Sequence, residues 1–165
     1  MSRTFSRHRD GIRMTLRAEE AALLERLAGE MRTSLRRPAP DDPVHSRLFP
    51  PAVLGDPQAE REVRDLLADA LLADRLEGLG SVLEVVGRAR RHRGRLVVDL
   101  SEDEPLVLLQ VLNDIRLAIG ARIDIEAIDR EQVRPEDELA YPLAVMDHLG
   151  WWQEQLLALL EGEEA

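Results

Sequence analysis

The sequence predicts a mainly α-helical domain with a small antiparallel β-sheet, an α+β fold. Three observations predict it. An alternating segment at the N-terminus carries an Asp10-Gly11 turn signal, several long stretches repeat apolar residues at helical spacing, and one short β-rich run, Leu96-Val97-Val98, follows Gly94. The length of 165 residues fits one domain over 1–165 and suffices for a core without disulfide or metal.

The first element is a β-hairpin over residues 1–16. Asp10-Gly11 suits a two-residue turn with positive φ at both positions, which would pair Arg9 with Ile12, Arg7 with Met14 and Phe5 with Leu16. Phe5, Ile12, Met14 and Leu16 then share one face, to be covered by helices. A helix is expected from Ala18 to Arg36, with Leu23, Leu27 and Met31 beside Leu24, Ala28 and Leu35, ended by Pro38 and Pro40.

Residues 38–56 hold five prolines and read as an ordered crossing, pinned to the core by Leu48, Phe49, Val53 and Leu54. Asp56-Pro57 starts the next helix, an N-cap acceptor followed by proline at the first helical position. Its apolar series is Val63, Leu66, Leu67, Ala70, Leu71 and Ala73, carrying it to Leu76. Gly78 and Gly80 are expected to bend or interrupt it before a continuation through Leu83, Val86 and Ala89. Arg95–Leu100 is a strand, a natural partner for the hairpin.

Ser101 and Glu104 form a capping-box pattern for a further helix, with Leu108, Leu112, Ile115 and Ile119 inward and Gly120 as its stop. Arg122–Ile128 alternates like a short strand. The last helix starts near Pro135 or Tyr141 and runs to Leu160, with Leu143, Met146, Leu149, Trp152, Leu156 and Leu160 on its apolar stripe. An acidic tail occupies 160–165.

Charge and composition narrow the function classes. All 22 basic residues are arginine, and the net charge is −10. Residues 1–100 carry 18 arginines against 16 acids, whereas residues 101–165 carry 4 against 16. An acidic C-terminal part suits solubility or a basic partner. There is no cysteine, so no thiolate metal site, disulfide or cysteine nucleophile exists. No signal peptide or membrane span is read, and a cytoplasmic location is expected.

No catalytic, cofactor or metal motif is found. His8, His45, His92 and His148 have no ligand spacing, and the glycines lack a phosphate-loop context. Four local features remain. Arg88, Arg90, Arg91 and Arg93 form a basic cluster, either a solvated helix end or a nucleic-acid contact. Asn113 and Arg116 share a helix flank, suited to a structural clamp or to a partner contact. Trp151 lies beside the apolar stripe, at the core's edge or at an interface. The wide apolar stripes also admit a homodimer.

Several stretches together resemble the actinobacterial AosR-type family, long catalogued as a domain of unknown function. They are the Asp10-Gly11 hairpin, Asp42-Pro43, Arg47-Leu48-Phe49-Pro50, Leu112-Asn113-Asp114-Ile115-Arg116-Leu117 with Gly120 and Arg122, and Trp151-Trp152-Gln153-Glu154. The resemblance spans nearly the whole chain. It implies an oxidative-stress transcription regulator acting through contacts with RNA polymerase and a stress sigma factor. It also implies cysteine-based sensing, which this chain cannot perform. The alternative is a non-enzymatic adaptor in proteolysis or assembly that does not contact DNA.

Overall fold

A computed structural model of the chain describes residues 2–49 and 55–162. It has the expected α+β architecture, with helices packed on one face of a four-stranded antiparallel sheet of order β1-β2-β4-β3.

Strands β1 (Phe5–His8) and β2 (Gly11–Leu16) form the N-terminal hairpin, with a register two residues from the expected one. Phe5 faces Met14, Arg7 faces Ile12 and His8 faces Gly11. The loop is therefore Arg9-Asp10, with Arg9 at φ 53°, and Gly11 belongs to the strand. A slip of two keeps every side chain on its face, because strand side chains alternate with period two. The apolar pattern cannot choose between these registers. A contact from elsewhere bears on it: the Gln155 Oε1 of the C-terminal helix accepts the Thr4 and Phe5 amides at 2.9 and 3.2 Å, and the observed register continues through the Thr15 amide, which donates to the Thr4 carbonyl at 2.7 Å.

Strand β4 (Arg95–Leu100) pairs with β2 as expected, setting Ile12 opposite Leu100 and Met14 opposite Val98. These four residues, with Phe5 and Leu16, are buried under the helices. The other sheet edge corrects the reading of the basic cluster as a helix end. Arg90–His92 is a short strand, β3, joined to β4 through Arg93-Gly94, whose φ values of 49° and 77° are both positive. A charged edge strand of this kind resists pairing with other chains.

Helix α1 (Ala18–Arg36) has the expected span and buries Leu24, Ala28, Met31 and Leu35. The proline-rich crossing contains a short helix, α2 (Pro43–Leu48), whose first turn is held by Asp42 Oδ1 accepting the Val44 amide at 2.9 Å. Val44 and Leu48 are buried and Phe49 packs against the core. The expected anchoring by Val53 and Leu54 lies outside the described residues, as does the acidic tail beyond Gly162.

Helix α3 (Pro57–Gly87) is one continuous helix of 31 residues, so Gly78 and Gly80 neither bend nor interrupt it. Gly78 serves packing instead. A Cβ there would stand 3.2 Å from Val111 Cγ2, so its absence lets α4 come close. Helix α4 (Glu104–Arg122) is capped at Asp103 and not at Ser101, with no side-chain cap; only half of the expected capping box is made, the Glu104 carboxylate accepting the Ser101 amide at 2.8 Å. It does not stop at Gly120, where a Cβ would meet Ile125 Cγ2 at 3.2 Å. The strand expected over 122–128 is instead a 3-10 turn, Ile125–Ala127, entered through Asp124 at φ 51°. The chain folds back there, so Ile125 packs on α4 and is not offered to the sheet. Helix α5 (Ala140–Leu160) has Pro142 in its first turn and buries Leu143, Leu149, Trp152 and Leu156, while Leu160 is exposed. Arg7 donates to the Leu159 carbonyl at 2.6 Å, a cation at the negative end of α5. No helix among the described residues is long and apolar enough to cross a membrane.

Candidate interaction surfaces

The four clustered arginines do not act alike. Arg88 is tied into the fold: its Nη1 meets Glu104 Oε1 at 2.7 Å and its Nη2 meets the Asp99 carbonyl at 3.1 Å. This pairing outweighs burial and holds the Glu104 carboxyl below the usual carboxylate range. Arg90, Arg91 and Arg93 are exposed on β3 and its turn, and their side chains make no hydrogen bond or ion pair among the described residues. The register sets Arg90 opposite Val97 and His92 opposite Arg95, on the sheet face turned away from the helices. Arg13 shares that face, opposite Asp99, and binds it in a fork at 2.6 and 2.9 Å. Of the N-terminal arginines, Arg7 instead turns to the helix side. The sheet thus gathers basic residues distant in sequence onto one open face.

Trp151 is half-buried at one end of this face, where it closes a pocket of about 190 Å³ with Thr15, Arg17, Glu20, Arg95 and His148. The buried Glu20 is its hub, accepting the Arg17 amide at 2.8 Å and facing Arg17 Nη2 and His148 Nε2, each at 3.2 Å. Burial alone would raise the Glu20 carboxyl; the Arg17 amide and guanidinium, with His148, hold it below its ordinary value. These contacts cap α1 and join it to α5. Sequence reasoning missed the Glu20–His148 pair, since 128 positions separate them and the only local signal was a Glu in the first turn of α1.

Arg116 donates to Gln153 Oε1 at 2.7 Å and packs on Gly150, bridging α4 to α5. Asn113 lines the same shallow groove, with Leu106 and Leu157 exposed at its margins. Their neighbour Asp114, not singled out from sequence, is the more unusual group. It is 3% exposed, held by Arg75 Nη1 at 3.3 Å and by Gln110 Nε2 at 2.9 Å. Burial raises its carboxyl above the ordinary value, against the pull of Arg75 and Gln110. Its sequence signal was a position three after Val111 and four before Ala118, both buried.

The largest departure from the sequence reading lies on α3. The series Val63, Leu66, Leu67, Ala70, Leu71 and Ala73 was expected to face the core, yet Leu66 is 74% and Leu67 51% exposed, and Ala70 and Ala73 are exposed too. What α3 buries is Leu79, Val82, Val85 and Val86, all in its second half. At about 100° per residue the two groups point roughly a third of a turn apart. When the second half lies on the core, the first cannot. Residues 57–73, which touch the core through Leu72, therefore form an arm whose outer apolar stripe is uncovered, flanked by Glu62, Asp69 and Asp74. At its foot a groove of about 310 Å³ opens between α3 and α4, with Asp74, Glu77, Ser81 and Leu106 on its walls and the Arg75–Asp114 pair behind.

Among the described residues no group of three or more His, Asp or Glu could hold a metal ion. The candidate functional features are thus surfaces: a basic sheet face and an acid-edged apolar arm. No curated protein and no solved structure matches the chain. The family described as a domain of unknown function, DUF2017, matches residues 2–160, and the chain belongs to that family.

Proposed function

We propose that the protein is a non-enzymatic regulator that acts by binding another protein, with RNA polymerase and a stress sigma factor as the partners that the AosR-type resemblance suggests. The observation that carries this reading is the uncovered stripe of Leu66, Leu67 and Leu71 on the α3 arm. Single exposed leucines are ordinary, but a contiguous apolar patch rimmed by charge marks a protein contact. The basic sheet edge favours a DNA contact made alongside that protein contact, with Arg90 on the open face, Arg91 opposite Leu96 on the other side and Arg93 in the turn, all three exposed. Without cysteine, an oxidant signal would enter through the partner or through methionine, and Met14 and Met31 are buried.

The test is recovery of tagged protein from its own host, before and after peroxide, with mass spectrometry of what accompanies it. Polymerase and a sigma factor are the expected companions. Protease components alone, or nothing above background, would sink the regulator reading. The adaptor reading is favoured by the net charge of −10 and by the lack of a basic recognition helix among the described residues, and protease components without polymerase would select it.

A further inference from the structure

We propose that the α3 arm docks a single partner helix, apolar along one face and edged with lysine or arginine. This deepens the protein-binding reading above by naming the partner's chemistry, and rests on it.

Ala59, Val63, Leu66, Ala70 and Ala73 follow one another at spacings of four, three, four and three. That is the spacing of a seam into which side chains of a second helix insert. It runs for about 20 Å, roughly four turns. Alanines at both ends of the seam, around Val63 and Leu66, give a shallow track that a helix can approach closely, and Leu67 and Leu71 widen it on one side. Among the described residues none of the five in the seam belongs to the buried core; Leu66, Ala70 and Ala73 are exposed and Ala59 and Val63 half-buried.

The edges decide the partner. Glu62 and Asp69 flank one side of the seam and Asp74 the other, whereas Arg61, Arg64 and Arg75 project from the back of the helix. Arg75 is turned to Asp114 and the Leu48 carbonyl. Glu77 falls at the seam's next position, so the track ends at the acidic mouth of the α3–α4 groove. A second copy of this chain would set acidic edge against acidic edge in either orientation, an unfavourable pairing. A helix with basic edges meets opposite charge on both sides, and the net charge of −10 draws it in.

The test uses the full chain and two labelled synthetic helices of about three heptads, both with a Leu/Ala seam, one with lysine edges and one with glutamate edges. Fluorescence anisotropy is expected to show the lysine-edged helix binding at least about tenfold more tightly. Leu66→Asp should weaken that binding about tenfold although it adds negative charge, and should leave the melting temperature unchanged. The triple change Glu62→Lys, Asp69→Lys, Asp74→Lys should reverse the preference. Equal binding by the Leu66→Asp variant, no binding of either helix, or a dimer in sedimentation that Leu66→Asp dissolves would each overturn the proposal. The broader reading fails separately. If wild type and Leu66→Asp recover polymerase equally from the host, the regulator stands and this surface is wrong; if neither does while the lysine-edged helix still binds, the regulator is wrong and the track remains.

Discussion

Arg116 packs so closely on Gly150 that a Cβ on the glycine would stand 3.2 Å from both Cζ and Nη2 of the arginine. Alanine in a helix interior is ordinarily favoured over glycine by about 1 kcal/mol. Here the added methyl must push aside a guanidinium whose Nε is already buried without a partner and whose Nη1 is bound to Gln153. Gly150→Ala is therefore expected to cost about 1 kcal/mol, and to recover the helix gain of about 1 kcal/mol in an Arg116→Ala background. Urea denaturation of the two single variants and the double variant checks the sign change.

The two halves of α3 should respond oppositely to truncation. Leu79 is 1% exposed, so Leu79→Ala leaves a cavity and should cost about 2–5 kcal/mol. Leu66→Ala, on the arm, should change stability by no more than about 0.5 kcal/mol. Equal losses in denaturant would mean that the arm is packed against something.

Two buried carboxylates should tilt stability with pH in opposite senses. The Glu20 carboxyl is held below its ordinary value, so its contribution is present above the unfolded pKa and is lost as pH falls through the folded one. Glu20→Gln should cost about 1 kcal/mol at neutral pH, and the difference from wild type should shrink in acid. The Asp114 carboxyl is raised, so its favourable contribution belongs to low pH and is lost as pH rises through the folded pKa. Stability of wild type relative to Asp114→Asn should therefore fall with rising pH. Denaturation midpoints of the three proteins across the carboxylate range measure both slopes.

The basic sheet face makes the DNA half of the proposed function testable by itself. Joint replacement of Arg90, Arg91 and Arg93 by Glu should abolish binding to the host's promoter DNA. For wild type, the slope of log affinity against log salt should correspond to about three phosphate contacts. Because these side chains are exposed on an edge strand and its turn, the fold should survive the change. Unchanged promoter affinity would remove DNA contact from the proposal and leave the protein contact.

Legible from local chemistry alone are α1 with its proline stop, Asp56-Pro57 as a helix start, the Glu104 half of a capping box at the start of α4, and β4 as partner of the hairpin. Caps, prolines and periodicity act within a few residues, so one stretch of chain suffices to read them. Tertiary structure decided what needs two distant segments. It decided the hairpin register, which alternation cannot distinguish from a slip of two and on which Gln155 of α5 bears. It turned Gly78 and Gly120 from helix breakers into contact points, because the neighbouring side chains of Val111 and Ile125 fill the space a Cβ would take. Most of all, it separated the two apolar faces of α3. Periodicity reports that a face is apolar, but only the packing of Leu79, Val82 and Val86 onto the core shows which face is covered and leaves Leu66 and Leu67 in solvent.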